Sequence, residues 1–159
     1  MPWRRIWNGS VAGMGEANPV SAVVRRVLPA PPDVVYGEWL DADALASFIC
    51  PFPATAGAVE CDPRIGGKFS IVMIDPDQVV HVTGEYLEMD PPNRLRFSWN
   101  SDLGGGLRSV VTVTLEPHSE GQTLMTIEHA QLPPNWIRDH QGGWTRIAEQ
   151  LERRLQPVT

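Results

Sequence analysis

The chain has 159 residues, 42% of them apolar and 20% charged, and its formal net charge is −6. This length and composition predict one globular domain with a sizeable core. The acidic balance and the scattering of the arginine pairs argue against nucleic acid or an anionic membrane as a partner. No apolar run approaches the roughly 18 residues of a membrane helix.

The two cysteines, Cys50 and Cys61, bear on the expected compartment. A chain of this length needs no disulfide to stabilise its core, so both are interpreted as reduced thiols. No continuous apolar segment follows Arg4 and Arg5, as a secretory signal would require. The expected location is therefore cytoplasmic, and a disulfide between the two cysteines is the alternative.

Residues 1–21 show no hydrophobic period and predict a poorly ordered arm, in which Met14 is an alternative start. Trp3 and Trp7 in this arm are candidates for docking on the domain or on a protein partner. The folded domain is expected over residues 22–156.

Two short helices are predicted after a first strand over residues 22–28. Pro32 can occupy the first turn of a helix over residues 32–40. Asp41 is placed to cap a second helix, over residues 42–49.

Six further strands are predicted, because apolar and polar residues alternate between turn signals. Short turns between them imply a consecutive antiparallel meander with one buried face and one wet face. The predicted strands cover residues 58–62, 68–74, 79–89, 94–100, 108–116 and 123–129.

The last predicted element is a long helix over residues 135–155, with apolar residues at three-and-four spacing on one face. Asn135 is placed to cap it. Gly142 and Gly143 inside it should each cost roughly 1 kcal/mol relative to Ala, so either the helix is kinked there or another group approaches closely. The predicted fold is α+β: a seven-stranded antiparallel sheet curved around this helix, closed at one end by the two short helices.

The chain resembles the family of activator of heat-shock protein 90 ATPase homologues, within the START-like superfamily (SRPBCC, birch-pollen-allergen-like). The resemblance covers about residues 22–155 and rests on several motifs in a fixed order. They are Ala30-Pro31-Pro32-Asp33-Val34-Val35-Tyr36 with Trp39, Asp62-Pro63-Arg64 with Gly66-Gly67-Lys68-Phe69, Gly84-Glu85-Tyr86 with Asp90-Pro91-Pro92, Arg94-Leu95, Phe97-Ser98-Trp99, His129, and Gly143-Trp144 with Leu151. The sequence departs from the family pattern at Phe48-Ile49-Cys50 and at Gln141-Gly142. The resemblance implies a helix-grip fold, which commonly holds apolar ligands between sheet and helix.

Four histidines and two cysteines show no metal-ligand spacing, so no metal and no cofactor are expected. His129 is in phase with Met125 and Ile127 and should face the helix, where it can bind a ligand, move a proton or serve a structural hydrogen bond. His81 is expected to be exposed and His118 to lie in a turn, whereas the face of His140 is not predictable.

The inward-facing side chains predict a cavity for a hydrophobic or aromatic small molecule. Aromatic and aliphatic groups would bury the ligand, and His129 would orient a polar end of it. The candidate ligand-binding residues are Trp39, Phe48, Phe69, Ile71, Met73, Tyr86, Phe97, Trp99, Val111, Val113, Met125, Ile127, His129, Trp144, Ile147 and Leu151.

Two other functions stay open at this point. The family's namesake suggests an interaction with a chaperone ATPase, which needs an exposed apolar patch. The superfamily also contains polyketide cyclases, but such an enzyme needs at least two polar groups in the pocket, and no catalytic residue is assigned. The protein is expected to be a monomer or a homodimer.

Overall fold

The computed structural model describes residues 20–157, and these form one curved sheet with three α-helices and a 3₁₀ turn. The elements in chain order are β1 (Val20–Leu28), α1 (Pro32–Leu40), α2 (Ala42–Phe48), β2 (Thr55–Cys61), β3 (Lys68–Asp75), β4 (Gln78–Asp90), β5 (Arg94–Ser101), β6 (Arg108–Pro117), β7 (Thr123–Leu132), a 3₁₀ turn (Pro134–Trp136) and α3 (Ile137–Leu155).

The seven strands form a single antiparallel sheet in the order β1-β7-β6-β5-β4-β3-β2. The run from β2 to β7 is a meander, because each strand pairs with the next one along the chain. β1 pairs with β7, so β1 and β2 are the two edge strands of the sheet. The predicted α+β helix-grip fold is confirmed.

The two short helices begin where local sequence signals predict. Pro32 occupies the first turn of α1, where a missing N–H costs nothing. The side chain of Asp41 accepts a hydrogen bond of 3.0 Å from the Ala44 N–H at the start of α2.

One face of the sheet packs against all three helices and holds the hydrophobic core. We call this the inner face and the opposite one the outer face. Two ion pairs fasten α3 at its last turns: Arg26 on β1 pairs with Glu152, and Arg154 pairs with Glu38 on α1 at 2.7 Å. Both pairs are partly exposed, so each adds only modestly to stability.

Some predicted boundaries differ from the observed ones. Val20 and Ser21, assigned to the arm, belong to β1, and β2 begins at Thr55, not at 58. The predicted cap at Asn135 is wrong, because Pro134 starts a 3₁₀ turn that includes Asn135, and α3 begins at Ile137 without a side-chain cap.

Residues 1–19, including Trp3, Trp7 and Met14, lie outside the described part of the chain. Within residues 20–157, no helix is both long and apolar enough to cross a membrane.

Candidate functional site

His129 lies at the centre of a buried hydrogen-bonded chain on the inner face, with 0% of its surface exposed. Its Nδ1 accepts a hydrogen bond of 3.0 Å from Trp144 Nε1 on α3. Its Nε2 lies 2.7 Å from the hydroxyl of Ser109 on β6, and that hydroxyl donates to the carbonyl oxygen of Trp99 at 2.9 Å. Two strands and the long helix are therefore joined through one imidazole ring.

The partners of His129 determine its tautomer. An indole N–H can only donate, so the Nδ1 that faces Trp144 carries no proton. The neutral ring then holds its proton on Nε2 and donates it to Ser109. Although a serine hydroxyl at 2.7 Å resembles a nucleophile–base pair, His129 donates here and cannot take the proton of Ser109.

A second buried histidine, His140, packs edge-to-face against His129 with 5.0 Å between the ring centroids. Its Nδ1 donates to the Trp136 carbonyl oxygen at 2.9 Å, one turn earlier. Burial lowers the pKa of His140 to about 4. Burial, and secondarily the neighbouring His140, holds the pKa of His129 well below its usual value. Both rings are therefore neutral at pH 7.

A small apolar cavity lies on the other side of Trp99, beneath α1 and α2. We call it the inner cavity; its lining residues are Trp39, Leu45, Ile49, Phe69, Ile71, Tyr86, Phe97 and Trp99. Its volume is about 10 Å³, which is room for at most one water molecule. The inner cavity therefore has no room for a larger molecule in this structure.

The inner cavity also has polar groups in or beside its wall. The Nε1–H of Trp39 is buried and has no hydrogen-bond partner within residues 20–157. The Tyr86 hydroxyl is hydrogen-bonded to the thiol of Cys61, and burial raises the pKa of Tyr86 beyond its usual range. An unpaired buried donor is costly, so the Trp39 N–H is the group here that a ligand acceptor would satisfy best.

All sixteen predicted ligand-binding residues are buried, on the inner face of the sheet or on the helices that pack against it, but they do not line one cavity. Six of them line the inner cavity: Trp39, Phe69, Ile71, Tyr86, Phe97 and Trp99. His129 and Trp144 belong to the hydrogen-bonded chain. The other eight fill the hydrophobic core: Phe48, Met73, Val111, Val113, Met125, Ile127, Ile147 and Leu151.

Sequence reasoning missed three residues that matter here. Leu45 and Ile49 line the inner cavity from α2 and its end, and their spacing of four residues was the available signal. Ser109, the partner of His129, shares the alternation of Val111 and Val113, so its inward direction was readable from β6.

The two remaining histidines are exposed, and both cysteines are reduced. His81 is exposed, with its Nδ1 3.0 Å from a carboxylate oxygen of Asp102, and His118 is exposed after β6. Cys50 and Cys61 are free thiols, and burial raises the pKa of Cys50 to about 12. In the described part of the chain, no three His, Cys, Asp or Glu residues cluster as metal ligands do.

Comparison with known proteins decides the family. The family model described as activator of Hsp90 ATPase homolog 1-like protein matches residues 29–156. The chain belongs to this family. Among curated proteins, none matches its sequence significantly.

Solved structures show the same fold. A protein from Chromobacterium violaceum is 29% identical, covering 87% of this chain and 99% of its own, with a TM-score of 0.77. A protein from Nitrosomonas europaea is 23% identical, covering 84% and 92%, with a TM-score of 0.72. CalU16 from Micromonospora echinospora is 24% identical, covering 86% and 76%, with a TM-score of 0.67. The family fold supports a ligand-binding domain.

Proposed function

We propose that this protein binds a hydrophobic or aromatic small molecule at the inner cavity, between the sheet and the helices. The observation that carries the proposal is an apolar wall with five aromatic rings, in which the Trp39 N–H lacks a partner. Ligand pockets are mostly apolar with a few placed polar groups, and this lining has that composition.

The inner cavity must expand to take such a ligand, because it now holds about 10 Å³. The movable wall is α2 with the segment that follows it, since these supply Leu45 and Ile49 without belonging to the sheet. Their displacement would open the inner cavity while the seven strands stay paired.

One side chain on α3, Gln150, holds the segment after α2 in place through hydrogen bonds. Its Nε2 donates to the carbonyl oxygens of Phe48 and Cys50 at 2.8 and 3.0 Å, and its Oε1 accepts from the Phe52 N–H at 2.8 Å. Arg146 adds a hydrogen bond of 2.9 Å to the Phe52 carbonyl oxygen. Opening exchanges these bonds for bonds to water, so its cost is modest.

The hydrogen bonding of His129 favours binding over catalysis. Both ring nitrogens already have protein partners, and the ring lies across Trp99 from the inner cavity. The polar end of a ligand is therefore assigned to Trp39, and His129 is assigned a structural part.

Thermal unfolding with two probes tests the proposal: indole for an aromatic ligand and decanoic acid for an aliphatic one. At about a hundredfold excess over Kd, a bound probe raises Tm by roughly 5–10 °C. Ile71→Ala enlarges the inner cavity and should increase the shift, because a larger apolar cavity accepts apolar guests.

Ile127→Ala is the matched control, since Ile127 is a fully buried isoleucine on the same face that does not line the inner cavity. Gln150→Ala should speed probe association without changing the cavity lining. Absence of any shift in the wild type and in Ile71→Ala, or an equal response of Ile71→Ala and Ile127→Ala, would contradict the proposed site.

A further inference from the structure

The outer face of the sheet carries a cleft of about 650 Å³, opposite the inner cavity. This volume lies within the range of small-molecule sites, roughly 300–1,000 Å³. We call it the outer cleft; its lining residues are Glu60, Cys61, Asp62, Lys68, Phe69, Ser70, Thr83, Gly84, Glu85, Ser98, Asn100 and Arg108.

Strand register sets five of these residues in one row across the sheet. Glu60 pairs with Ser70, Ser70 with Thr83, Thr83 with Asn100, and Asn100 with Arg108. The row takes one residue from each strand from β2 to β6. All five alternate with inner-face residues along their strands, so their side chains share the outer face.

The two ends of the row carry opposite charges. Glu60 and Arg108 are exposed, and neither makes an ion pair with any residue between 20 and 157. Between them stand two hydroxyls and an amide, which can both donate and accept hydrogen bonds. From Glu60 to Arg108, the row thus presents an anionic group, three neutral hydrogen-bonding groups and a cationic group.

In the next row along the strands, residues of opposite charge lie on neighbouring strands. Lys68 lies opposite Glu85 in the register, and the carboxylate of Asp62 pairs with Arg64 at 2.8 Å. The row from Glu60 to Arg108 instead carries its two charges at opposite ends, separated by neutral polar residues.

The floor of the outer cleft contains polar groups that are buried from solvent. Ser98 is only 2% exposed although it points to the outer face, and its hydroxyl accepts from the Glu85 N–H at 2.9 Å. The Oδ1 of Asn100 is buried and has no hydrogen-bond partner in the described part of the chain. A buried acceptor without a donor is costly, and an N–H from a ligand would relieve that cost.

We propose that the outer cleft binds a short zwitterionic peptide, with the amino group at Glu60 and the carboxylate at Arg108. The peptide N–H and C=O groups then meet Ser70, Thr83 and Asn100. The row spans four strand steps, about 19 Å between backbones, and the long end side chains shorten that span. An extended peptide rises about 3.4 Å per residue, so three to five residues fit. Arginine suits the carboxylate end because it can bind both oxygens.

Titration of ¹⁵N-labelled protein with tetra-alanine, followed by amide NMR shifts, tests this assignment. We expect shifts confined to Ser70, Thr83, Asn100 and their neighbours in the row. Blocking the peptide carboxylate as an amide should weaken binding about tenfold, and acetylating the amino group should weaken it similarly.

Arg108→Gln should remove the preference for the free carboxylate, and Glu60→Gln the preference for the free amine. Arg96→Gln and Glu128→Gln are matched controls, because both residues lie on the same face outside the outer cleft and should bind as the wild type does. No shift at millimolar peptide would overturn the proposal. So would equal binding of the doubly blocked peptide, or shifts in this row caused only by an oligosaccharide such as maltotetraose. None of these results bears on indole binding at the inner cavity.

Discussion

The regions on either side of Trp99 show two different ways of filling a protein interior. On one side, His129, Ser109 and Trp144 form a chain in which each donor and acceptor is used. On the other side, aromatic rings surround the inner cavity, and the Trp39 N–H is left without a partner.

This contrast indicates which region of the interior can change shape. A satisfied buried network resists rearrangement, because any move leaves a polar group unpaired in a low-dielectric interior. Apolar contacts are less directional, so side chains can repack around a guest at lower cost. The histidine side therefore holds β6, β7 and α3 together, and the cavity side is the region that can repack around a guest.

The largest expected effect comes from removing the imidazole. His129→Leu replaces the ring with an apolar group and leaves the Trp144 N–H and the Ser109 hydroxyl without their partner. We expect the free energy of unfolding, measured in urea, to fall by about 3 kcal/mol. Met125→Leu, a volume-conserving change on the same strand and face, should cost less than about 1.5 kcal/mol. Equal losses in the two variants would show that the chain contributes nothing beyond packing.

The second-largest effect is expected at acidic pH, where protonation linked to the buried histidines should lower the free energy of unfolding. Because the pKa of His140 is about 4 in the folded protein and near 6.5 when unfolded, the unfolded state binds the proton first as pH falls. Stability present above pH 6.5 is therefore lost on the way down to about pH 4. At pH 5 the loss from His140 alone is about 2 kcal/mol.

Urea unfolding at pH 7 and pH 5 measures this loss. His140→Gln should reduce the difference between the two pH values, and His118→Gln, on the surface, should leave it unchanged. A wild-type stability that stays flat between pH 7 and pH 5 would contradict the buried neutral histidines.

Comparing substitutions at two tryptophans measures how much one hydrogen bond contributes to stability. Trp39 and Trp144 are both 3% exposed, and their rings lie 6.4 Å apart. Changing either to Phe removes similar volume, but only Trp144→Phe breaks a hydrogen bond. We expect Trp144→Phe to cost about 1–2 kcal/mol more than Trp39→Phe in urea unfolding. The reverse order would show that Trp39, not Trp144, has the stronger polar partner.

The smallest expected effect is a gain in stability from a substitution on the solvent-exposed side of α3. A Cβ at Gly142 would meet no atom within 4 Å, and the residue is exposed. Gly142→Ala should therefore stabilise the protein by about 0.5–1 kcal/mol, and Gly37→Ala in α1 should act similarly.

Gly84→Ala supplies the contrast, because a Cβ at Gly84 would lie 2.0 Å from the Ser98 carbonyl oxygen and would force the strands apart. Thermal unfolding ranks the three glycine variants. A loss of stability in Gly142→Ala would mean that α3 needs glycine there for its own geometry.

The fold could be read from the sequence because two-residue alternation and the helical period are both local. The phase of β7 was enough to turn His129 inward, and Asp41 could be identified as a cap from its position alone. The curvature of the sheet around α3 was expected because one long apolar-faced helix after a run of strands needs a sheet to pack on, and the family motifs indicated the same fold.

The site could be read only in part, because its details depend on contacts between distant segments. Ser109 meets His129 only through the pairing of β6 with β7, and the direction of the hydrogen bond is set by Trp144 on α3. The inward face of His140 was missed, although its spacing of four residues from Trp144 on α3 was an available signal. The volume of the inner cavity depends on side-chain packing, so six of the predicted residues line it while others close the core.

Native mass spectrometry of the protein purified from its own host would show whether it carries a small molecule. We expect a non-covalent adduct of a small apolar molecule that disappears on denaturation and is lost in an Ile49→Trp variant, whose indole fills the inner cavity. A clean mass of the bare chain, together with no thermal shift from indole or decanoic acid, would contradict this expectation.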